Sequence, residues 1–263
     1  MQPSEFHAQL TSKGGLRTRN RVVLSSIDST NRLGKTMASF YLHSGEELSP
    51  TLLVALEQTG GRGRLGRRWL SPLGGIYVSL VWPMGRKELL SGLPLRVAAA
   101  LCRELDGIVD LPCRLKWPND LIVDGGKVGG ILIEAVGRGE NVAAVLGFGI
   151  NYAAHSDELA PGATTLQQQC SVLPPVGEVG GRLIRGVENE LIRHVAMSQV
   201  VLEYSRWSLH VGNQEISCQT SRGVAVGTFL GFDERGFLRL ATATGEQQIS
   251  AGDIIEHGLD GAS

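Results

Sequence analysis

Between Cys113 and Ile150 the chain repeats one pattern: short apolar runs joined by tight turn signals. Cys113–Trp117 leads to a Pro118-Asn119 turn, Leu121–Asp124 to a Gly125-Gly126 hairpin turn, and Lys127–Val136 is followed closely by Val142–Ile150. Runs this short and this closely spaced pair as hairpins, which favours a mixed or antiparallel sheet over a doubly wound one. Upstream, Arg21–Ile27, Thr51–Glu57 and Gly75–Pro83 read as further strands. Helical spacing predicts Asn31–Leu42 and the Ala-rich Leu89–Leu105, with Pro94 near a helix start, where proline is tolerated. The pattern is that of an α+β layer fold with the helices on one side of the sheet.

Beyond this sheet, the Gly- and Pro-rich stretch 170–180 reads as a connector. Two helices are predicted after it, Leu183–Met197 and Gln199–Leu209. From Gly212 the pattern changes to five short strands: QEISC, GVAVGTFLGF, GFLRLAT, EQQIS and DIIE. They suggest a small β-barrel of about 50 residues, a size only marginally stable alone, which should pack on the larger part. The chain divides accordingly into 1–211 and 212–263.

The 263 residues are 42% hydrophobic, enough for a sizeable core. Net charge is −1, so no global basic field recruits nucleic acid. Cys102, Cys113, Cys170 and Cys218 are widely spaced and form no C-x-x-C pair, which reads as reduced cysteines and not as a metal site or disulfide frame. No apolar run is long enough to span a bilayer, and the N-terminus lacks the apolar centre of a signal peptide. A cytoplasmic protein with no membrane association is expected.

Against this near-neutral background, Gln58–Trp69 (QTGGRGRLGRRW) packs four glycines and four arginines into one loop. Glycines let backbone N–H groups approach an anion, and guanidinium groups match phosphate or carboxylate edges. The tryptophan adds a flat face for a base or a cation. The segment reads as a loop, mobile until occupied, that closes over a phosphorylated ligand. A solvated loop or a nonspecific RNA contact is the bland alternative. Gly61, Gly63 and Gly66 also fit the spacing of a dinucleotide fingerprint, but no helix opens after them, as Trp69, Pro72, Gly74 and Gly75 follow.

Three more clusters stand out. Asp28-Ser29-Thr30-Asn31 precedes a helix, where small polar residues cap it and free N–H donors can hold a polar ligand. Lys116-Trp117-Pro118-Asn119-Asp120 sets an amide and a carboxylate on a rigid turn, suited to a ribose, a base edge or hydrated Mg²⁺, or simply to bonding its own backbone. Lys127 heads the Gly-rich strand GKVGGILIE (126–134), where it can pair with an anion or remain a solvated hairpin lysine.

Taken together, DSTN (28–31), the Arg-Gly loop, KWPND (116–120), GKVGGILIE (126–134), GFGIN (147–151) and the trailing β module resemble the biotin–protein ligase family, in order and spacing, over about 20–263. The resemblance implies a mixed sheet with helices like that of class II aminoacyl-tRNA synthetases, residues 1–211 being the catalytic domain, and an SH3-like C-terminal domain. It implies that biotin and ATP with Mg²⁺ form biotinyl-5′-AMP, and that a lysine of a biotin carboxyl carrier domain then takes the biotinyl group. Ser29, Thr30, Asn31 and Gln58 would bind biotin, with Gly61, Arg62, Gly63 and Arg64 closing over its carboxylate. Lys127 would hold that carboxylate, and Gly130, Ile131 and Leu132 would wall the pocket. Arg64, Arg67, Trp69, Asn119, Asp120 and Asn151 would serve the nucleotide, with Asp120 also a metal candidate. Lys127, Arg62 and Arg64 would be catalytic.

The stretch before the first strand is too short for the winged helix that makes some relatives repressors, so DNA binding is not expected; a monomer or homodimer is. Phe148 is bulkier than the small aliphatic residue expected in GFGIN, and reshapes the pocket only if it points there. Residues 152–163 match no motif, and His155 reads as a surface residue. A lipoate–protein ligase, a nucleic-acid-binding module and an inactive scaffold of the same fold are the competing readings.

Overall fold

The structure, a computed structural model, describes residues 2–11, 15–84, 90 and 92–255. Seven strands form the larger sheet: β1 (Asn20–Leu24), β2 (Thr51–Ala55), β3 (Gly75–Pro83), β4 (Cys113–Lys116), β5 (Asp120–Val123), β6 (Gly126–Arg138) and β7 (Asn141–Asn151). Their spatial order is β1-β2-β3-β7-β6-β5-β4. β1 and β2 run parallel and every other neighbouring pair is antiparallel. The parallel pair follows from its connection, because helix α2 (Thr30–Ser44) is the crossover between β1 and β2. The remaining pairs include the three hairpins anticipated from the turn signals. The sheet is therefore mixed, within the α+β class.

The helices cover both faces, which corrects the expectation of one side. Leu53, Val81 and Ala143 face Ala38 of α2. Their alternate neighbours Leu52, Val54, Leu80 and Ala144 face the main core, which is built with α1 (Pro3–Thr11), α3 (Leu93–Asp106), α5 (Val176–Ile192) and α6 (Met197–Trp207). Side chains alternate along a strand, so central strands between two helical layers are apolar throughout. β3 and β7 show this, being buried over nearly their full lengths. A short helix, α4 (Leu166–Gln169), lies between β7 and α5. No helix among the described residues is long and apolar enough to cross a membrane.

Two elements depart from the sequence pattern for identifiable reasons. The connector expected at 170–180 ends at Pro175, and α5 begins at Val176. Its glycines are packing sites: a Cβ at Gly180 would lie 3.2 Å from Phe6 Cζ, and one at Gly181 3.2 Å from the Leu10 carbonyl oxygen, both on α1. The first strand stops at Leu24, three residues early, since Ile27 makes only an isolated bridge to Gln58. α5 ends at Ile192 and α6 starts at Met197, so the two helices sit earlier than predicted. Leu89, the expected start of α3, lies outside the described residues; the helix opens at Leu93 with Pro94 in its first turn.

The five C-terminal strands are β8 (Glu215–Thr220), β9 (Gly223–Phe232), β10 (Leu238–Thr242), β11 (Gly245–Ile249) and β12 (Asp253–Ile255), antiparallel in the order β11-β10-β9-β8-β12. Their apolar residues, including Ile216, Phe229 and Leu240, are continuous with the main core. Trp117 Nε1 donates to the Gly236 carbonyl at 3.3 Å, and Tyr204 meets Phe232 edge-on at 5.1 Å. These contacts supply the burial that so small a module lacks on its own.

All four cysteines are free; Cys102, Cys113 and Cys218 are buried and Cys170 is partly exposed. Burial, then the neighbouring Cys113 thiol, pushes the Cys102 thiol up. Burial, then the Asp253 charge, pushes Cys218 up to about 11. Thiolates are the reactive form, so buried thiols held protonated react slowly. Titration with a chromogenic disulfide should therefore count one accessible thiol in the native protein and four after denaturation; two or more fast native thiols would contradict this packing.

Candidate active site

The N-terminus of α2 meets strand β3 through a buried polar network. Ser29 caps the helix, its Oγ accepting from the Arg32 N–H at 3.4 Å. The Thr30 N–H and Oγ1 donate to Gln58 Oε1 at 2.9 and 3.2 Å, and Gln58 Nε2 donates to Ser71 Oγ at 3.0 Å. Asn31 Nδ2 donates to the Leu132 carbonyl and to Glu134 Oε2, both at 3.1 Å. Ser79 Oγ lies 2.8 Å from Thr30 Oγ1 and 2.6 Å from Asn31 Oδ1. Ser29, Thr30, Asn31 and Ser79 are all buried, and each finds partners, as groups removed from water must.

The sheet surface facing this network carries glycines against which its neighbours pack closely. A Cβ at Gly147 would lie 2.1 Å from Asn31 Oδ1, and one at Gly149 would lie 2.5 Å from Trp69 Nε1. Both glycines thus point toward α2 and the Arg-Gly loop. Phe148 between them points the other way by strand alternation and packs in the main core with Leu146 and Ile150, although it also borders the adjacent cavity. A side chain at either glycine would collide with Asn31 or Trp69, so these glycines let the start of α2 and the loop close onto the sheet.

Beside this contact lies a cavity of about 210 Å³, lined by residues of both the sheet and the loop. Its lining carries five cations, Arg62, Arg64, Arg67, Arg68 and Lys127, and among the described residues Asp120 is its one carboxylate. The loop closing it is a folded hairpin: the Gly63 N–H donates to the Arg67 carbonyl at 2.8 Å and the Trp69 N–H to the Gly61 carbonyl at 3.0 Å. The turn at its tip needs left-handed backbone at Leu65 (φ 55°) and Gly66 (φ 76°). Arg64 Nη1 donates to Asn119 Oδ1 at 3.3 Å, and Asn119 Nδ2 donates to the Ile131 carbonyl at 2.8 Å.

Lys127 Nζ lies 2.7 Å from Asp120 Oδ1 and 5.2 Å from the centre of the Trp69 ring. Its backbone is clamped by residues 162–164: the Lys127 N–H donates to the Gly162 carbonyl at 2.9 Å, and the Thr164 N–H to the Lys127 carbonyl at 3.0 Å. Asn151 Nδ2 donates to the Lys127 and Thr164 carbonyls, while Asn151 Oδ1 is buried with no protein partner. Trp69 Nε1 is likewise buried and unpartnered. The cations lining the cavity favour an anionic ligand, and the unmet acceptor and donor favour one that also carries a hydrogen-bond donor and acceptor of its own.

The sequence matches the Biotin/lipoate A/B protein ligase family over residues 23–151 and the biotin protein ligase C-terminal domain over 211–255. It is 32% identical over 227 residues to the biotin–[acetyl-CoA-carboxylase] ligase of Paracoccus denitrificans, covering 77% of this chain and 89% of that protein. It is 30% identical over 260 residues to the bifunctional ligase/repressor BirA of Bacillus spizizenii, covering 95% of this chain and 78% of that protein. The chain belongs to the biotin protein ligase family. Its fold is similar to that of the biotin protein ligase from Aquifex aeolicus in complex with biotin and ATP, with a TM-score of 0.74, 29% identity, and coverage of 90% of this chain and 98% of that one.

Of the ligase residues anticipated from sequence, Ser29, Thr30, Asn31, Gln58, Arg62, Gly63, Arg64, Arg67, Trp69, Asn119, Asp120, Lys127, Gly130, Ile131, Leu132 and Asn151 all line the one cavity. Gly61 does not: a Cβ there would lie 2.4 Å from both Ser71 Oγ and the Trp69 carbonyl, so it lets the loop strands pack. The sequence reading missed Leu159, Ala160, Pro161 and Ala163, which line the cavity through the bridge between Lys127 and Ala163. No motif marks them, because it is their backbone that does the pairing. His155 is exposed, as expected.

Gly147→Ala would force a methyl group into Asn31 and the network behind it. Urea unfolding should show a loss of about 1–3 kcal/mol; a stability within about 0.5 kcal/mol of wild type would show that the network is not rigid.

Proposed function

We propose that the cavity binds biotin and ATP together and that the chain is an ATP-dependent ligase making biotinyl-5′-AMP for transfer to a lysine of a biotin carboxyl carrier domain. The observation that carries this reading is the convergence of five cations on a cavity that the sheet lines with Gly130, Gly147 and Gly149. Uniting a carboxylate with a triphosphate brings like charges together, and cations fixed in advance offset that repulsion.

In this reading the ring system of biotin lies against Gly130, Ile131, Leu132 and Gly147, with Ser29, Thr30 and Gln58 at its polar end. Thr30 and Gln58 already hold each other in place. Lys127 would exchange its Asp120 partner for the biotin carboxylate. A carboxylate oxygen attacks the α-phosphorus, forming one P–O bond, and the bond to the β-phosphate oxygen breaks, so that pyrophosphate leaves with the electron pair. Lys127, Arg62 and Arg64 would stabilise the charge on the α-phosphate. Trp69 would face the adenine, and Asn151 Oδ1 would accept a hydrogen bond from the nucleotide. In the second step the carrier lysine amine attacks the carbonyl carbon, AMP departs, and an amide forms. A hairpin covering the site would keep water from the reactive anhydride.

No group of three His, Cys, Asp or Glu residues that could hold a metal occurs among the described residues. Mg²⁺ fits instead as a companion of the triphosphate, which typically supplies most of its oxygens beside one carboxylate. Asp120 is the carboxylate available to it, and the ion would neutralise phosphate charge. The use of ATP and the widely spaced cysteines support a cytoplasmic reaction, with no nucleic-acid or membrane partner in this reading.

Pyrophosphate release should require both biotin and ATP and should not be supported by lipoate. Lys127→Ala should lower the rate about 10²–10³-fold, the loss typical of one oxyanion donor. Biotin-independent release, or full activity in the variant, would overturn the assignment. Excess EDTA should abolish release and Mg²⁺ restore it, and Asp120→Asn should move half-activation to higher Mg²⁺; an unchanged Mg²⁺ dependence would remove Asp120 from the metal's surroundings.

A further inference from the structure

The Arg-Gly loop is tied to the C-terminal β domain through one carboxylate. Arg67 Nη2 lies 2.7 Å from Asp253 Oδ1, and Arg64 Nη1 lies 3.5 Å from the same oxygen. Arg64 Nη1 also donates to the Gly252 carbonyl at 3.2 Å. Asp253 opens β12, a three-residue strand, and is not part of the cavity lining, whereas Arg64 and Arg67 are. The carboxylate therefore holds the two cations from outside the cavity lining.

We propose that Asp253 is a positioning residue that serves as an internal counter-anion: it holds Arg64 and Arg67 over the empty cavity and yields them to the polyphosphate when nucleotide binds. This rests on the proposed ligase reading. Two guanidinium groups meeting at one oxygen carry two positive charges against one negative, so removing Asp253 leaves them to repel each other. A polyphosphate entering from the cavity side offers the same donors more negative charge, while a carboxylate left in place repels it. The same anchor fixes the loop hairpin before any ligand arrives, and its exchange couples nucleotide binding to the contact between the two domains.

Asp253→Asn keeps the size and a hydrogen-bonding oxygen but removes the charge. Calorimetric titration with ATP should show roughly fivefold tighter binding than wild type, the scale of one partly exposed ion pair, with biotin, which draws on Arg64 but not on Arg67, bound no more weakly than by wild type. In the ligand-free variant, trypsin should cut within residues 62–68 faster than in wild type, and ATP should restore protection. Asp253→Glu, which keeps the charge, should return both readouts toward wild type. A merely structural loss would weaken both ligands together, and Glu would not repair it selectively. Unchanged or weaker ATP binding in Asp253→Asn, or unchanged cutting of its ligand-free loop, overturns the proposal. Failure of wild type to bind ATP would instead overturn the ligase reading, and the ligand-free cutting rates would still decide whether Asp253 anchors the loop.

Discussion

Like-charge repulsion among the cations at the cavity is the constraint on which the site depends. The whole chain has a net charge of −1, yet five cationic side chains line one small cavity. Each fixed cation has a local answer. Lys127 rests on Asp120 and against the face of Trp69. Arg64 is held by Asn119 and Gly252, and Arg67 by Asp253. Arg62 and Arg68 are exposed to solvent, where water screens them. The supporting groups come from β5, the β4–β5 turn and the C-terminal domain, so charge placement ties distant parts of the chain to one loop.

The opposite wall solves a different problem. A ligand lying against a sheet needs backbone without side chains, and the backbone needs its hydrogen bonds kept. β6 and β7 meet both needs, since Gly130 pairs with Gly149 and Leu132 with Gly147 in an unbroken antiparallel ladder. Packed on Gly147 through Asn31, the residues Asn31, Ser79 and Thr30 form a buried polar layer in which a shift at one member disturbs the next. The helix that supplies Asn31 and Thr30 covers the second face of the sheet. Its position is therefore part of the site as well as of the core.

Much of this was legible in the sequence, and the parts that were not share a cause. β3 and β9 coincide residue for residue with the apolar runs that predict them. The motifs on the Arg-Gly loop, the KWPND turn and the Gly-rich strand converge because each carries its chemistry in side chains or in the absence of one. Glycines in α5 misled because a glycine that lets α1 approach looks in sequence like a helix breaker. The helix α2 is itself expected from the sequence, but its place on the second face of the sheet is not, because alternation in a doubly covered strand reads as a plain apolar run. Residues 159–163 and the Asp253 anchor carry no local pattern at all, since their roles arise from backbone pairing and from contacts across some 190 residues.

The most direct test is to look for the intermediate on the protein. After a brief incubation with biotin and ATP, the chain would be separated from free ligand by gel filtration, quenched in acid and analysed by mass spectrometry. A cavity that holds both substrates and excludes water should retain biotinyl-5′-AMP in near-stoichiometric amount, and an added apo carrier domain should discharge it as AMP and biotinylated lysine. Recovery of unreacted biotin and ATP alone, with no adenylate bound, would contradict the ligase assignment.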